Sequence, residues 1–155
     1  MKKFKVGIVL LVIISLIGYV IYDTSHESIE DALIQDASIS SLSSPEFIID
    51  SISVDDIILC IYQANDGRLG YATIKYTERS FGKYSVCTNE NIDQYFLHSN
   101  KVIANNYNHQ GLNYMYGIVV EPENDTLDYE GHLYHLKICN YTNIKIGIFL
   151  ETIDN

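Results

Sequence analysis

An uninterrupted apolar run at residues 6–22 constrains this 155-residue chain more than any other feature. The run contains no charged residue, and as a helix it would extend about 25 Å, close to the thickness of the hydrocarbon core of a bilayer. Lys2, Lys3 and Lys5 precede it, and basic residues mark the cytoplasmic side of a span. We therefore expect a cytoplasmic basic region at 1–5, a transmembrane signal anchor at 6–22 and all later residues outside the cytoplasm.

A cleaved signal peptide is the main alternative, because it has the same basic start and apolar centre. Its cleavage site requires small residues, whereas bulky or charged residues occupy Gly18-Tyr19-Val20 and Asp23-Thr24-Ser25. The first cysteine after the run is Cys60, which excludes a lipoprotein anchor. The sequence favours a single-pass protein of the cell membrane, with secretion or a buried soluble helix as the alternatives.

The rest of the chain is strongly acidic. Residues 23–155 contain 7 Lys and Arg against 20 Asp and Glu. A surface of this sign repels phosphate backbones, so nucleic acid is excluded as a partner. The segment is long enough for one domain with its own hydrophobic core.

A short connecting region is expected at residues 23–45. Thr24-Ser25-His26-Glu27 has the spacing of a capping box and predicts a juxtamembrane helix at about 25–36, unless the anchor helix simply continues. Five serines then precede Pro45, which is typical of a tether. The folded domain is therefore expected at 46–155.

The pattern in this domain changes to alternating apolar and polar residues. Asp55-Asp56 and Asp66-Gly67 are turn signals, and Ser80-Phe81-Gly82 is a third. No segment is long enough for crossover helices, so we expect an α+β protein: a transmembrane helix, a short helix and a mainly antiparallel β meander. Strands are predicted at 47–54, 57–63, 69–78, 83–87, 113–121, 127–129, 132–139 and 143–150, the last with one face in the core and one largely in water.

The three cysteines all lie in predicted strands, at Cys60, Cys87 and Cys139. Outside the cytoplasm one disulfide and one free thiol are possible. The alternative is three small buried apolar side chains without a bridge. The sequence does not decide between these arrangements.

Acidic residues cluster between positions 121 and 130. An EF-hand loop requires Gly at its sixth position and Glu at its twelfth, but counting from Glu121 these are Thr126 and His132. We expect no cofactor and no metal site, with weak binding of divalent cations as the alternative. The candidate ligands for that alternative are Glu121, Glu123, Asp125 and Asp128.

No catalytic motif is present, and the sequence leans against an enzyme without excluding one. His132 and His135 point to opposite faces of a strand, so they cannot share a metal ion there. If the protein is an envelope hydrolase, its candidate groups are Asp55, Asp56, Asp66 and His132.

The segment 105–116 combines tyrosine rings with amide side chains, a composition that suits recognition of a protein or a glycan. It is equally typical of an irregular loop that leads into an edge strand. The candidate contact residues are Tyr107, Asn108, Tyr114 and Tyr116.

Segments 52–55, 66–72 and 116–131, placed behind the anchor and short helix, resemble small membrane-anchored or exported proteins of uncharacterised function from low-GC Gram-positive bacteria. The resemblance implies a location in the cell envelope and no known activity. The expected function is binding of a protein or envelope partner by an acidic extracytoplasmic domain. An immunity or exclusion protein against a toxin or phage, and an envelope hydrolase, are the alternatives.

Overall fold

The computed structural model describes residues 10–17, 27–40, 42–78, 84–92, 97 and 102–153. Residues 10–17 are helical (α1), and their side chains are exposed. Among the described residues, no helix is both long and apolar enough to cross a bilayer. The rest of the predicted anchor, 6–9 and 18–22, lies outside the described residues.

The second helix, α2, covers Ile29–Ser40 and begins later than the sequence predicts. Its N-cap is Ser28, whose Oγ accepts a hydrogen bond from the backbone N–H of Asp31 at 3.0 Å. The helix also includes the first serines of the predicted tether, because Ser38 and Ser40 donate to carbonyls in the preceding turn. The expected boundary at residue 36 is therefore corrected to residue 40, and the tether shrinks accordingly.

The described chain after α2 forms ten strands, and every described pairing between them is antiparallel. This confirms the expectation of a mainly antiparallel α+β domain. Sheet A has the meander order β1-β2-β3-β4, sheet B has the order β5-β6-β10-β9, and β7 and β8 form a separate hairpin. The strands are β1 Pro45–Val54, β2 Ile57–Ala64, β3 Leu69–Tyr76, β4 Tyr84–Ile92, β5 Val102–His109, β6 Leu112–Val120, β7 Thr126–Tyr129, β8 His132–His135, β9 Lys137–Tyr141 and β10 Ile144–Ile153.

Sheets A and B pack face to face as a β-sandwich. Alternate residues of β2, such as Leu59 and Ile61, meet residues of β6 and β10, such as Ile118 and Ile148, in the main core. All four side chains have no exposed surface. Burial of this alternating apolar set stabilises the sandwich, since each such side chain contributes roughly 2 kcal/mol.

The outer face of sheet A is covered by α2. Leu33 packs there among Cys60, Tyr62 and Ile74 in a second core. A hydrogen-bonded chain adds to this contact, because Tyr62 donates to Asn89, which in turn donates to Asp36 of α2 at 2.8 Å. The short helix is therefore fixed to the domain.

The outer face of sheet B is covered by the β7–β8 hairpin. Tyr134 and Leu136 pack on Phe149 and Met115 in a third core, and the rings of Tyr134 and Phe149 are 4.7 Å apart. Gly147 and Phe149 are therefore buried, although the sequence pattern placed this face of β10 largely in water. Lys145 and, in the β9–β10 turn, Asn143 are exposed and fit that expectation.

Two further strand predictions are corrected. The predicted strand at 132–139 is broken at Leu136, whose backbone N–H donates to the carbonyl of Asp125, and it forms β8 and β9. No strand is predicted between residues 88 and 112, yet this stretch contains the end of β4 and all of β5.

The remaining tether, residues 42–44, is held against the turn between β2 and β3. Ser43 hydrogen-bonds to Asp66, and Arg68 donates to both of these side chains. The carbonyl of Ser44 accepts the N–H of Asn65 at 2.9 Å. The tether is thus a bound segment of the domain.

Candidate functional site

A polar seam runs through the sandwich where β3 and β4 of sheet A face β5 and β6 of sheet B. Tyr71 donates to Glu90 at 2.6 Å and accepts from the side-chain amide of Asn105 at 3.2 Å. Burial, with the neighbouring Glu90 carboxylate, raises the pKa of Tyr71 above its ordinary value. The Tyr71 hydroxyl is therefore a neutral hydrogen-bonding group at neutral pH.

A β-bulge directs a thiol into this seam. Thr73 pairs with Thr88 and Ile74 with Val86, so Cys87 is the extra residue of β4. The hydroxyl of Tyr107 donates to the Cys87 Sγ at 3.3 Å. Bulges redirect side chains in this way, often next to functional sites.

The seam leads to the end of the sandwich that holds the β1–β2 turn at 55–56 and the β5–β6 turn at 110–111, here called the turn end. Tyr114 donates to the Asp55 carboxylate at 3.1 Å. His109 Nε2 lies 3.3 Å from Asp56 Oδ2, close enough for electrostatic attraction but not aligned for a hydrogen bond. The ring of Tyr107 stacks on that of His109 with 6.0 Å between centroids. Aspartate, histidine and tyrosine groups from both sheets therefore meet at the turn end.

The four hydrolase candidates do not form one site. Asp55 and Asp56 lie at the turn end, whereas Asp66 lies at the opposite end and forms an ion pair with Arg68 at 2.6 Å. His132 lies on β8, exposed, and its ring contacts that of Tyr134. Among the described residues, no serine, threonine or cysteine nucleophile hydrogen-bonds to a histidine, which is the arrangement that nucleophilic catalysis uses.

The four predicted contact residues have different environments. Asn108 is exposed and Tyr107 is half-buried. Tyr114 and Tyr116 are only 1% and 2% exposed, because their side chains face the main core. Their assignment as contact residues is therefore corrected: they hold the two sheets together. The predicted contact residues did not include Leu112, which the turn brings to the surface beside Asn108, or His109, whose largely buried ring faces Asp56.

The candidate divalent-cation ligands Glu121, Glu123, Asp125 and Asp128 are all exposed. Glu121 uses its Oε1 to accept the backbone N–H of Lys145 at 2.9 Å. Over the described ranges, no three His, Cys, Asp or Glu side chains converge as metal ligands would.

The three cysteines are free thiols in three separate places. Cys60 is buried under α2, Cys87 faces the seam at one edge of the sandwich, and Cys139 packs against the main core from β9 at the other edge. Burial raises the pKa of Cys60 to about 12.

We predict that unfolding becomes easier above pH 9 and that Cys60 causes part of this loss. The thiol has an ordinary pKa of 9.0, raised to about 12 in the folded protein, so the unfolded chain releases its proton first and stability falls as pH rises between these values. Tyr62, whose pKa burial raises to about 12, adds to the effect only above its ordinary value of 10.0.

Urea unfolding of the full chain in detergent, followed by circular dichroism, checks this prediction. Between pH 9 and 10 the Cys60→Ala variant should lose about 1 kcal/mol less than the parent protein. Between pH 6 and 8 both slopes should be flat. Equal slopes above pH 9 would contradict the assignment to Cys60.

A shallow cleft of about 250 Å³ lies between β8 and the end of β10. Its walls include His132, Leu133, Glu151 and Ile153. The cleft combines one imidazole with one carboxylate.

The described surface thus combines an exposed acidic segment at 121–128 with an uncharged hairpin at the turn end. Comparisons of the chain with protein families, with curated proteins and with solved structures gave no match.

Proposed function

We propose that this is a single-pass membrane protein, anchored by residues 6–22, whose acidic β-sandwich domain acts outside the cytoplasm by binding a protein or another envelope component. The basic and apolar N-terminus supports the anchor, and the exposed acidic segment supports binding. The resemblance to membrane-anchored or exported proteins of low-GC Gram-positive bacteria agrees with this location.

The observation that carries the binding proposal is the exposure of the acidic segment. Glu121, Glu123, Asp125 and Asp128 all face solvent, and none of them belongs to an ion pair among the described residues. Unneutralised charges of one sign on a rigid surface attract an oppositely charged partner and increase its association rate. The partner therefore carries a basic surface.

The polar groups inside the sandwich favour binding over catalysis. Tyr71, Tyr107 and Tyr114 each donate to a side chain of the domain, so their hydroxyls are already used for structure. Catalysis instead requires a nucleophile or base that is free to reach a substrate.

Protease treatment of intact cells tests the location. A C-terminal tag should be lost while a membrane-bound fragment remains. A protected tag would invert the orientation, and a tag in the medium would mean that the anchor is cleaved; either result overturns the proposed location.

Cross-linking in intact cells tests the binding proposal. A fourfold variant, Glu121→Gln, Glu123→Gln, Asp125→Asn and Asp128→Asn, should lose the cross-linked partner, with an affinity decrease of about tenfold or more. The control variant removes the same number of charges from other exposed acids and should retain the partner. Its substitutions are Glu27→Gln, Glu30→Gln, Glu46→Gln and Glu78→Gln. No cross-linked partner, or equal loss in both variants, would contradict the proposal.

An immunity or exclusion protein is a second candidate, and the same acidic surface favours it because it can occlude a basic toxin. Deletion should then sensitise cells to a toxin or phage released by sibling strains. If deletion leaves the sensitivity to toxin and phage unchanged, the immunity function is excluded and the general binding proposal stands.

A further inference from the structure

The direction of α2 determines which end of the domain receives the chain from the membrane. The helix ends at Ser40, and strand β1 begins shortly afterwards at Pro45, which pairs with Ala64 at the end opposite the turn end. Farther back along the helix, Asp36 contacts Asn89, which lies in the middle of sheet A opposite Ala72. The C-terminal end of α2 therefore lies toward the opposite end, and its N-terminal end points toward the turn end.

The start of α2 lies near the turn end. Ile29 is seven residues before Asp36, which is about 10 Å along a helix. The same distance along β2 leads from Cys60, which pairs with Ala72, to Ile57 beside the β1–β2 turn. The chain therefore enters the domain at the turn end.

The proposed anchor keeps this end close to the bilayer, a step that rests on the proposed function. Only residues 23–28 separate the anchor from α2. Six residues extend at most about 20 Å. Because α2 is packed on sheet A, its twelve residues add no further reach.

The hairpin of β5 and β6 has a composition suited to this position. Residues 102–120 contain no Asp, Glu, Lys or Arg, although the chain carries a net charge of −10. At the turn, Leu112 is 50% exposed and Asn108 and Gln110 are exposed beside it. The turn therefore offers an apolar tip surrounded by neutral hydrogen-bonding groups.

Two acids at the turn end are engaged by the hairpin. Asp55 accepts the hydroxyl of Tyr114, and Asp56 faces His109. The cytoplasmic surface is the more anionic one in most membranes, but an acidic domain is repelled by any anionic headgroup, so an uncharged contact is the favourable one.

We infer that the turn at 110–111 and Leu112 form a membrane-contact loop, in which the leucine enters the headgroup region of the bilayer that holds the anchor. Apolar side chains at such interfaces lie about 5–10 Å below the surface. The anchor and this loop then fix the domain at two points, and Glu121, whose backbone N–H donates to the carbonyl of Lys145 at the opposite end, lies away from the lipid.

The chain contains no tryptophan, so a single introduced indole reports its own environment. The full-length Leu112→Trp variant is reconstituted in vesicles of phosphatidylcholine and phosphatidylglycerol with brominated acyl chains. The control is Asn143→Trp, an exposed position in the β9–β10 turn at the opposite end. Leu112→Trp should emit at shorter wavelength than the control and be quenched about twofold or more by the brominated lipid.

Each other outcome overturns the inference. Equal emission from the two variants shows that the turn stays in water. A shifted but unquenched Leu112→Trp shows that the turn packs on protein, such as a second copy of the chain. A chain that does not float with the vesicles overturns the anchor and the loop together, whereas flotation without quenching overturns the loop alone.

Discussion

Replacement of Gly117 by alanine should destabilise the protein by about 3 kcal/mol. This glycine lies in β6, between β5 and β10, where it pairs with Ala104 and Phe149. An added β-carbon would overlap the carbonyl oxygen of Ile103 and lie 2.6 Å from the ring of Phe149. A backbone carbonyl in a paired strand cannot move away without breaking the ladder, so the strain remains in the folded state.

The measurement is urea unfolding of the full chain in detergent, with Gly131→Ala as the matched control. Gly131 has a φ of +82° but no atom within 4 Å of an added β-carbon, so its replacement should cost only the left-handed backbone strain, about 1 kcal/mol. Equal losses in the two variants would show that space at Gly117 is not limiting.

Replacement of Phe149 by alanine should cost about 4 kcal/mol. Its side chain is fully buried on the outer face of sheet B and meets Tyr134 of the covering hairpin. The change leaves a cavity between sheet and hairpin, and the hairpin loses one of its buried contacts with sheet B. Amide hydrogen exchange should therefore increase in β7 and β8 well before global unfolding.

Phe47→Ala is the control for Phe149, since the same atoms are removed from a side chain that is 47% exposed. It should cost about 1 kcal/mol or less. The pair Gly117→Ala and Phe149→Ala should cost less together than the sum of the single changes, because the alanine at position 149 removes one of the two clashes. Strict additivity would contradict the proposed contact between the two positions.

The sequence predicts a strand well when its own residues are continuously apolar or alternate regularly between apolar and polar. β2 and β3 follow their predicted limits closely because β2 is a continuous apolar run with three isoleucines and Asp66-Gly67 marks the turn between the two strands. Helix α2 begins later than predicted because Ser28 supplies its cap. Several nearby residues have suitable hydroxyls, and only the docking of Leu33 selects among them.

The sequence conceals elements whose polar residues are satisfied by tertiary contacts. β5 contains four Asn and His residues that are unfavourable in isolated strands, yet Asn105 and His109 face groups of sheet A. The same limitation affects the site: Tyr114 and Tyr116 have the composition of contact residues, but the opposite sheet buries them. Alternation in one strand contains no information about which distant element covers its second face.

Under the proposed membrane anchorage, the bound tether limits how far from the bilayer the domain can work. A free Ser-rich segment would let the acidic surface sweep a wide volume, but Ser43 and Ser44 are held to the β2–β3 turn. With the proposed anchor at 6–22, residues 23–28 reach at most about 20 Å and the sandwich is about 35 Å long, so every point of the domain would lie within roughly 55 Å of the lipid. A partner of the anchored domain must therefore lie within this distance of the lipid. If the partner is also membrane-bound, the two molecules find each other by diffusion in two dimensions.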